Sequence, residues 1–308
     1  MIYAEALTKK FDEFTAVRGI NLDVKTGQVL ILLGPNGAGK TTTVRMLTSI
    51  LLPTSGKAQV AGFDVVTQAE KVRACVGVLT EHHGLYGRMN AVEYLEFFGQ
   101  LYSLDSKIIQ KRTDDLLERF GLSFARKKRL GEYSKGMRQK IALVRAMLHE
   151  PAVLLLDEPT SAMDPESARL VRNAIASLKT TERTIMLCTH NLVEAQELAD
   201  QVAIIRNGEI IEQGTPEALK TRLLGAPEFE AVLGSVSMDW NPPDIPGVHF
   251  LWRRENRLRF VIENPDKNNS HLLRHLLDQG LCVNSFAPVA RSLEQAYLAA
   301  VTREVEHV

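Results

Sequence analysis

From residue 29 the chain reads Val-Leu-Ile-Leu-Leu and then Gly34-Pro35-Asn36-Gly37-Ala38-Gly39-Lys40-Thr41-Thr42. That is an apolar strand, a loop of the form GxxxxGK[ST], and the first turn of a helix. Glycines at these positions let successive backbone N–H groups turn toward one anion, and the helix that follows presents its positive end to the same point. Lys40 has the reach to meet β and γ phosphates, and the Thr41 hydroxyl can ligate Mg²⁺. The alternative, a chance glycine-rich turn before a helix, is disfavoured by having both flanking elements in place. A second apolar run, Val153-Leu154-Leu155-Leu156, ends in Asp157-Glu158. Beside a phosphate loop, Asp157 is placed to hold Mg²⁺, and Glu158 to orient or deprotonate an attacking water. Read alone, two carboxylates at a strand end would be a helix cap or a solvated turn.

These residues need strands to carry them. Short apolar runs at Val29–Leu33, Val76–Leu79, Ala152–Leu156 and Thr184–Cys188 alternate with helical patterns, which predicts an α/β core with a largely parallel sheet. The first 24 residues read instead as antiparallel strands. Residues 202–211 read as a hairpin turning on Asn207-Gly208, the strongest short-range hairpin signal. A helical stretch ends near Leu224-Gly225-Ala226-Pro227, so two domains are expected, 1–222 and 223–308. The second reads strand, strand, strand, helix, strand, helix: a small α+β module.

Composition bounds the function. The 308 residues carry 37 Lys plus Arg against 37 Asp plus Glu, a formal net charge of zero. No global basic field is available to hold nucleic acid or an anionic membrane, so any polyanion must be held locally. Cys75, Cys188 and Cys282 show neither CxxC nor zinc-like spacing, the pattern of small core thiols in a reducing compartment. The amino end shows no basic stretch leading into an apolar run, and no apolar run approaches the ~20 residues that span a bilayer. A soluble, cytoplasmic chain is expected.

The chain resembles the nucleotide-binding subunit of an ABC (ATP-binding cassette) transporter over residues 2–220. The most discriminating segment is Tyr133-Ser134-Lys135-Gly136-Met137-Arg138-Gln139, which is similar to the family signature LSGGQ and whose Gln139 stands eighteen residues before Asp157. Tyr133 replaces Leu and Lys135 replaces the first Gly; the serine and the second glycine remain. The resemblance implies a P-loop NTPase cassette with a mixed sheet core, an antiparallel β subdomain and a helical subdomain at about 83–150. It also implies ATP and Mg²⁺ as ligands, and a homodimer or paired cassette. In such a sandwich, ATP held by residues 34–42 of one chain meets Ser134, Lys135, Gly136 and Gln139 of the other. Ser161-Ala162-Met163-Asp164 is similar to the D-loop that joins the two sites, His190 to the switch histidine that faces the γ-phosphate, and Phe11 to the aromatic that stacks on adenine, with Phe14 as the fallback. Taken alone, each of these has an ordinary structural reading: a cap, a strand-end histidine, a core phenylalanine.

Gly77-Val78-Leu79-Thr80-Glu81 is similar to the Q-loop, with Glu81 where glutamine is usual. A carboxylate oxygen is a good hard ligand for Mg²⁺, so Glu81 joins Thr41 and Asp157 as an expected metal ligand. The run from Gly84 to Phe98 is rich in aromatics and is either a partner surface or helical-subdomain core. This region, the signature segment and Arg291-Ser292-Leu293-Glu294-Gln295-Ala296-Tyr297-Leu298 resemble the cassettes of ABC-2 type exporters. That implies a separate integral-membrane permease subunit and a place on the inner face of the cell membrane. A basic run, Arg126-Lys127-Lys128-Arg129, is either close to lipid headgroups or a solvated face. The competing function is a regulatory or scaffold ATPase without a membrane partner; a nucleic-acid ATPase is disfavoured by the absence of a basic stripe with interleaved aromatics. The Q-loop reading predicts that Glu81→Gln alters the Mg²⁺ dependence of ATP hydrolysis; a titration of activity against Mg²⁺ identical to wild type would contradict a role for the charge.

Overall fold

The computed structural model describes residues 1–80, 84–161, 163–234, 241–242 and 244–305. The chain divides into two compact units, Met1–Pro216 and Glu217–Val308. The first unit begins with β1 (Ile2–Phe11), β2 (Phe14–Val24), β3 (Val29–Leu33), α1 (Lys40–Leu47), β4 (Ser55–Val60), β5 (Phe63–Asp64), α2 (Ala69–Cys75) and β6 (Val76–Leu79). Three helices follow, α3 (Ala91–Leu101), α4 (Ser106–Arg119) and α5 (Lys135–Met147). The chain then returns through β7 (Val153–Asp157), α6 (Pro165–Ala176), β8 (Thr184–Thr189), α7 (Leu192–Leu198), β9 (Gln201–Arg206) and β10 (Glu209–Gly214).

The main sheet has the order β10-β9-β3-β8-β7-β6. It is parallel from β9 to β6, with β10 antiparallel at one edge. Every residue of β3, β7 and β8 is buried, which is why these strands read as continuous apolar runs rather than alternating ones. Their register brings their carboxyl ends level: Leu33 pairs with Thr189, and Asp157 with Cys188. A second, antiparallel sheet has the order β2-β1-β4-β5. The β9–β10 hairpin turns at Asn207 and Gly208 with φ of 51° and 85°, the positive pair that a tight primed turn requires. The Gly208 N–H donates to the Ala38 carbonyl at 3.1 Å, which fastens this turn against the glycine-rich loop.

Helices α3, α4 and α5 pack on one another and make the helical part of this unit. Asn90 starts α3 with a capping box: its side chain accepts from the Val92 and Glu93 N–H groups, while Glu93 accepts from the Asn90 N–H. Tyr133, the departure from the signature pattern, is buried and its hydroxyl donates to the Ala125 carbonyl at 2.8 Å. Its ring is therefore core, with its polar end satisfied. Of the basic run, Arg126 pairs with Asp114 on α4 at 2.7 Å.

The second unit takes in α8 (Pro216–Leu224), β11 (Glu228–Leu233), β12 (Val248–Arg254), β13 (Arg257–Ile262), α9 (Pro265–Asp278), β14 (Val283–Pro288) and α10 (Leu293–Val305). Its four strands form an antiparallel sheet in the order β12-β13-β11-β14. Period-two alternation puts Phe229, Ala231 and Leu233 of β11 and Leu258, Phe260 and Ile262 of β13 in the core, against Leu272 and Leu276 of α9. On the other face Arg259 pairs with Glu228 and Glu230, and Arg257 with Glu230. Among the described residues, no helix is long and apolar enough to cross a membrane.

One contact joins α3 to the strand layer and carries a pH dependence. His149, just beyond α5, stacks on Tyr102 at the end of α3, with ring centroids 3.9 Å apart, and its Nε2 meets the Val76 carbonyl at 3.2 Å. Burial lowers its pKa from 6.5 to about 4. A folded pKa below the unfolded one means the neutral ring is favoured by folding. Its contribution is complete above pH 6.5 and is lost as the pH falls toward 4. His149→Phe keeps a ring against Tyr102 and cannot be protonated, so its stability falls less between pH 6.5 and 4 than that of the unaltered chain in denaturant titrations; equal losses would contradict the assignment.

Candidate active site

The level ends of β3, β7 and β8 place three loops side by side. The Gly34 N–H donates to the Thr189 carbonyl at 3.1 Å and the Glu158 N–H to the Cys188 carbonyl at 2.9 Å, so each loop leaves its strand still bonded to its neighbour. In parallel α/β sheets the carboxyl ends of strands are where ligands bind. Here they open on a cavity of about 400 Å³ whose lining comes from the glycine-rich loop and α1, from Glu158 and Ser161, from His190, and from Phe14 and Ala16 on β2. That volume lies within the usual range for small-ligand sites, ~300–1,000 Å³.

The glycine-rich loop is shaped by close approach as much as by turning. Gly39 has φ of 106°, and a β-carbon there would lie 2.6 Å from the Ala16 carbonyl oxygen. At Gly34 a β-carbon would meet the Ile205 carbonyl oxygen at 2.2 Å. Neither position admits a side chain without moving backbone. The loop folds over the ammonium of Lys40, which donates to the Gly34 carbonyl at 2.7 Å and the Pro35 carbonyl at 3.1 Å. Asn36, Gly37, Gly39, Lys40, Thr41 and Thr42 all line the cavity. Ala38 is buried beneath, holding the hairpin turn through its carbonyl.

Three titratable groups converge. Lys40, only 5% exposed, forms an ion pair with Glu158 Oε1 at 3.1 Å, and His190 Nδ1 lies 2.9 Å from Glu158 Oε2. Glu158 is thus held from both sides, by a cation from the phosphate loop and an imidazole from the loop after β8. Its backbone has φ of 49°, a left-handed conformation that costs a non-glycine residue on the order of 1–3 kcal/mol and persists only where the surroundings enforce it.

The Thr41 hydroxyl donates to Asp157 Oδ2 at 2.8 Å, and Asp157 is almost fully buried. A hydroxyl and a carboxylate, both hard oxygen donors, meet at the edge of the cavity, which is the donor set Mg²⁺ takes when phosphates and water complete its octahedron. Among the described residues no group of three or more His, Cys, Asp or Glu side chains could hold a metal by itself. The residues present therefore fit a nucleotide-borne Mg²⁺, which Thr41 and Asp157 would hold.

Two of the expected site residues stand apart from this cavity. Phe14 lines the cavity and Phe11 does not: Phe11 stands across the β1–β2 turn from Phe14, with the Lys9 ammonium 5.1 Å from its ring centre. Gln139, expected to face a second chain's ATP, is 2% exposed. Five residues along a helix turn a side chain by ~140°, and with Ser134 on the surface that rotation carries Gln139 inward. Ser134, Lys135 and Gly136 do start α5 near the surface, where Ser134 caps the helix by accepting from the Met137 N–H at 3.2 Å. None of these three lines this chain's own cavity. Asp164 caps α6, accepting from the Ser167 N–H at 2.9 Å; its hydrogen bonds to Ser167 hold its carboxyl below the ordinary range. Glu81, the third expected metal ligand, and Ala162 lie outside the described residues.

The family described as ABC transporter matches residues 17–161. The ABC transporter ATP-binding protein NatA of Bacillus subtilis (strain 168) is 44% identical over 66% of this chain and 83% of its own length. The daunorubicin resistance ATP-binding protein DrrA2 of Streptomyces coeruleorubidus is 33% identical over 99% of this chain and 96% of its own, so the similarity extends through the second unit. Among solved structures, cbiO1 of Clostridium perfringens, part of the ABC transporter complex cbiONQ, superposes with a TM-score of 0.65 at 27% identity, covering 71% of this chain and 89% of that one. A phosphate loop closed over Lys40, a carboxylate and a histidine facing it, and relatives of this similarity lead to one identification: the chain belongs to the ATP-binding proteins of the ABC transporter family, and it is an ATPase.

Proposed function

We propose that this chain hydrolyses ATP as one half of a cassette dimer and thereby energises an exporter whose membrane path is built by a separate permease subunit. The observation that carries the reading is Glu158, strained at its backbone and held between Lys40 and His190 inside the phosphate-loop cavity. With ATP in the cavity, the Lys40 ammonium and the loop N–H groups face the β and γ phosphates. Thr41 and Asp157 would hold Mg²⁺, which would supply charge neutralisation at the phosphates. Glu158 orients water for in-line attack on the γ-phosphorus and accepts its proton, and His190 keeps the carboxylate aimed. Phe14, 62% exposed at the cavity wall, offers a flat face to the adenine.

Half of the site comes from a second copy. Ser134, Lys135 and Gly136 are exposed or half-buried at the start of a thirteen-residue helix, a suitable anion contact once another chain's ATP is laid against it. Asp164, also exposed, faces the same partner.

The permease surface is read from the helical part. Tyr94 of the aromatic run is fully buried, whereas Tyr86 and Phe97, whose ring centres lie 5.7 Å apart, are 48% and 41% exposed. Large apolar side chains displayed together in this way favour an interface. DrrA2 is named for resistance to a drug, and an efflux role for its relative here follows that lead. Docking on such a partner holds the chain at the inner face of the membrane.

Two outcomes test the chemistry. Glu158→Gln lowers ATP turnover by at least ~100-fold, the scale of general-base catalysis, and accumulates an ATP-bound dimer on size-exclusion chromatography; turnover at the normal rate would defeat the assignment. Asp157→Asn and Thr41→Val each raise the Mg²⁺ concentration needed for half-maximal activity, read from metal titrations, and an unshifted midpoint in both would remove these residues from the metal site.

A further inference from the structure

We propose that Glu194 is a positioning residue for hydrolysis, tying the segment that carries Glu158 to the segment that carries His190. Glu194 lies on α7, four residues beyond His190, and is fully buried. Its Oε1 accepts a hydrogen bond from the Thr160 hydroxyl at 2.5 Å. Thr160 is itself buried and stands two residues beyond Glu158. On the other side, the Asn191 N–H donates to the Thr189 hydroxyl oxygen at 3.0 Å, and the Asn191 side chain caps α7 by accepting from the Val193 N–H at 2.9 Å. The start of α7 is thus fixed to the residue that precedes His190, and the carboxyl of Glu194 reaches from that helix to the strand-end loop after β7.

A carboxyl group so fully removed from water is costly unless it is well bonded, and an apolar residue would pack α7 more cheaply. What an apolar residue could not supply is a directional tie to Thr160. The groups facing Glu194 are few. Burial raises its pKa, the Thr160 and Thr189 hydroxyls oppose the rise, the charge of Glu158 adds to it and Arg172 of α6 reduces it. Arg172 is committed to Glu197, 2.7 Å from its Nε. The Glu158–His190 contact of 2.9 Å and the Thr160–Glu194 contact of 2.5 Å are therefore two rungs between the same pair of loops. The outer rung makes the reaction and the inner one fixes its spacing.

The effect on turnover follows from orientation: a displacement of about 1 Å in a catalytic group can cost on the order of 100-fold in rate. The full-length chain is assayed for kcat and for the KM of ATP. Thr160→Val, which removes the hydroxyl at nearly constant volume, lowers kcat at least ~10-fold while KM for ATP stays within ~2-fold, because the phosphate loop is untouched. Thr160→Ser, which restores the hydroxyl, recovers kcat. Glu194→Asp, which withdraws the carboxylate by one methylene, reproduces the loss in kcat alone, and thermal unfolding of each variant confirms that it is folded. Unchanged kcat in Thr160→Val or Glu194→Asp, a rise in KM matching the fall in kcat, or no recovery in Thr160→Ser would overturn the proposal. It rests on the role given to Glu158, and the two fail separately: normal turnover in Glu158→Gln defeats that role whatever the Thr160 variants do.

Discussion

The parallel register of β3, β8 and β7 is the constraint on which the site depends. With Leu33 opposite Thr189 and Asp157 opposite Cys188, three loops with no sequence proximity leave the sheet at one height. Hydrogen bonds from Gly34 to Thr189 and from Glu158 to Cys188 carry the pairing one residue past the strands. A slip of one residue in any pair would turn alternate side chains to the opposite face and separate Lys40, Glu158 and His190. The ladder hydrogen bonds, continued past the strand ends by Gly34 and Glu158, hold that register, so the sheet and the geometry of the site are one requirement.

Around this register the molecule supplies charge in a fixed order. A cation is held by carbonyls of its own loop, a carboxylate is held between that cation and an imidazole, and a second carboxylate is held against the Thr41 hydroxyl. For the buried pair Lys40–Glu158, loss of either partner would leave an uncompensated charge out of water, which is expensive. The zero net charge of the whole chain agrees with an anion held locally rather than over a broad basic surface.

Much of this was legible in the sequence, for a physical reason. The phosphate loop demands glycine where backbone approaches backbone, as the 2.6 Å and 2.2 Å distances at Gly39 and Gly34 show, and so the motif is written in residue types. Buried strands write themselves as apolar runs, and Asn207-Gly208 as a turn. Other features depended on which way a side chain faces. Phe11 and Phe14 are equally aromatic, and only the β1–β2 turn decides which meets the cavity. By spacing the last position of the signature pattern falls on Met137, and Gln139, two residues further on, is turned inward by helical phase. The pairing of Thr160 with Glu194 was illegible because a glutamate on a short helix reads as a solvated residue; the only clue was its position one helical turn after His190, on the side that faces the core.

The central claim is that each hydrolytic site is shared: the phosphate loop, Glu158 and His190 of one chain close against Ser134 and Gly136 of another. Mixing two inactive variants tests it directly. Lys40→Ala damages only the phosphate-loop half and Ser134→Arg only the signature half, so each alone gives homodimers with two broken sites. Mixed dimers would bring both defects together in one site and leave the other whole. The account predicts that an equimolar mixture, refolded or exchanged together, regains ATP hydrolysis well above the mean of the two separate preparations; a mixture with no more activity than that mean would contradict it.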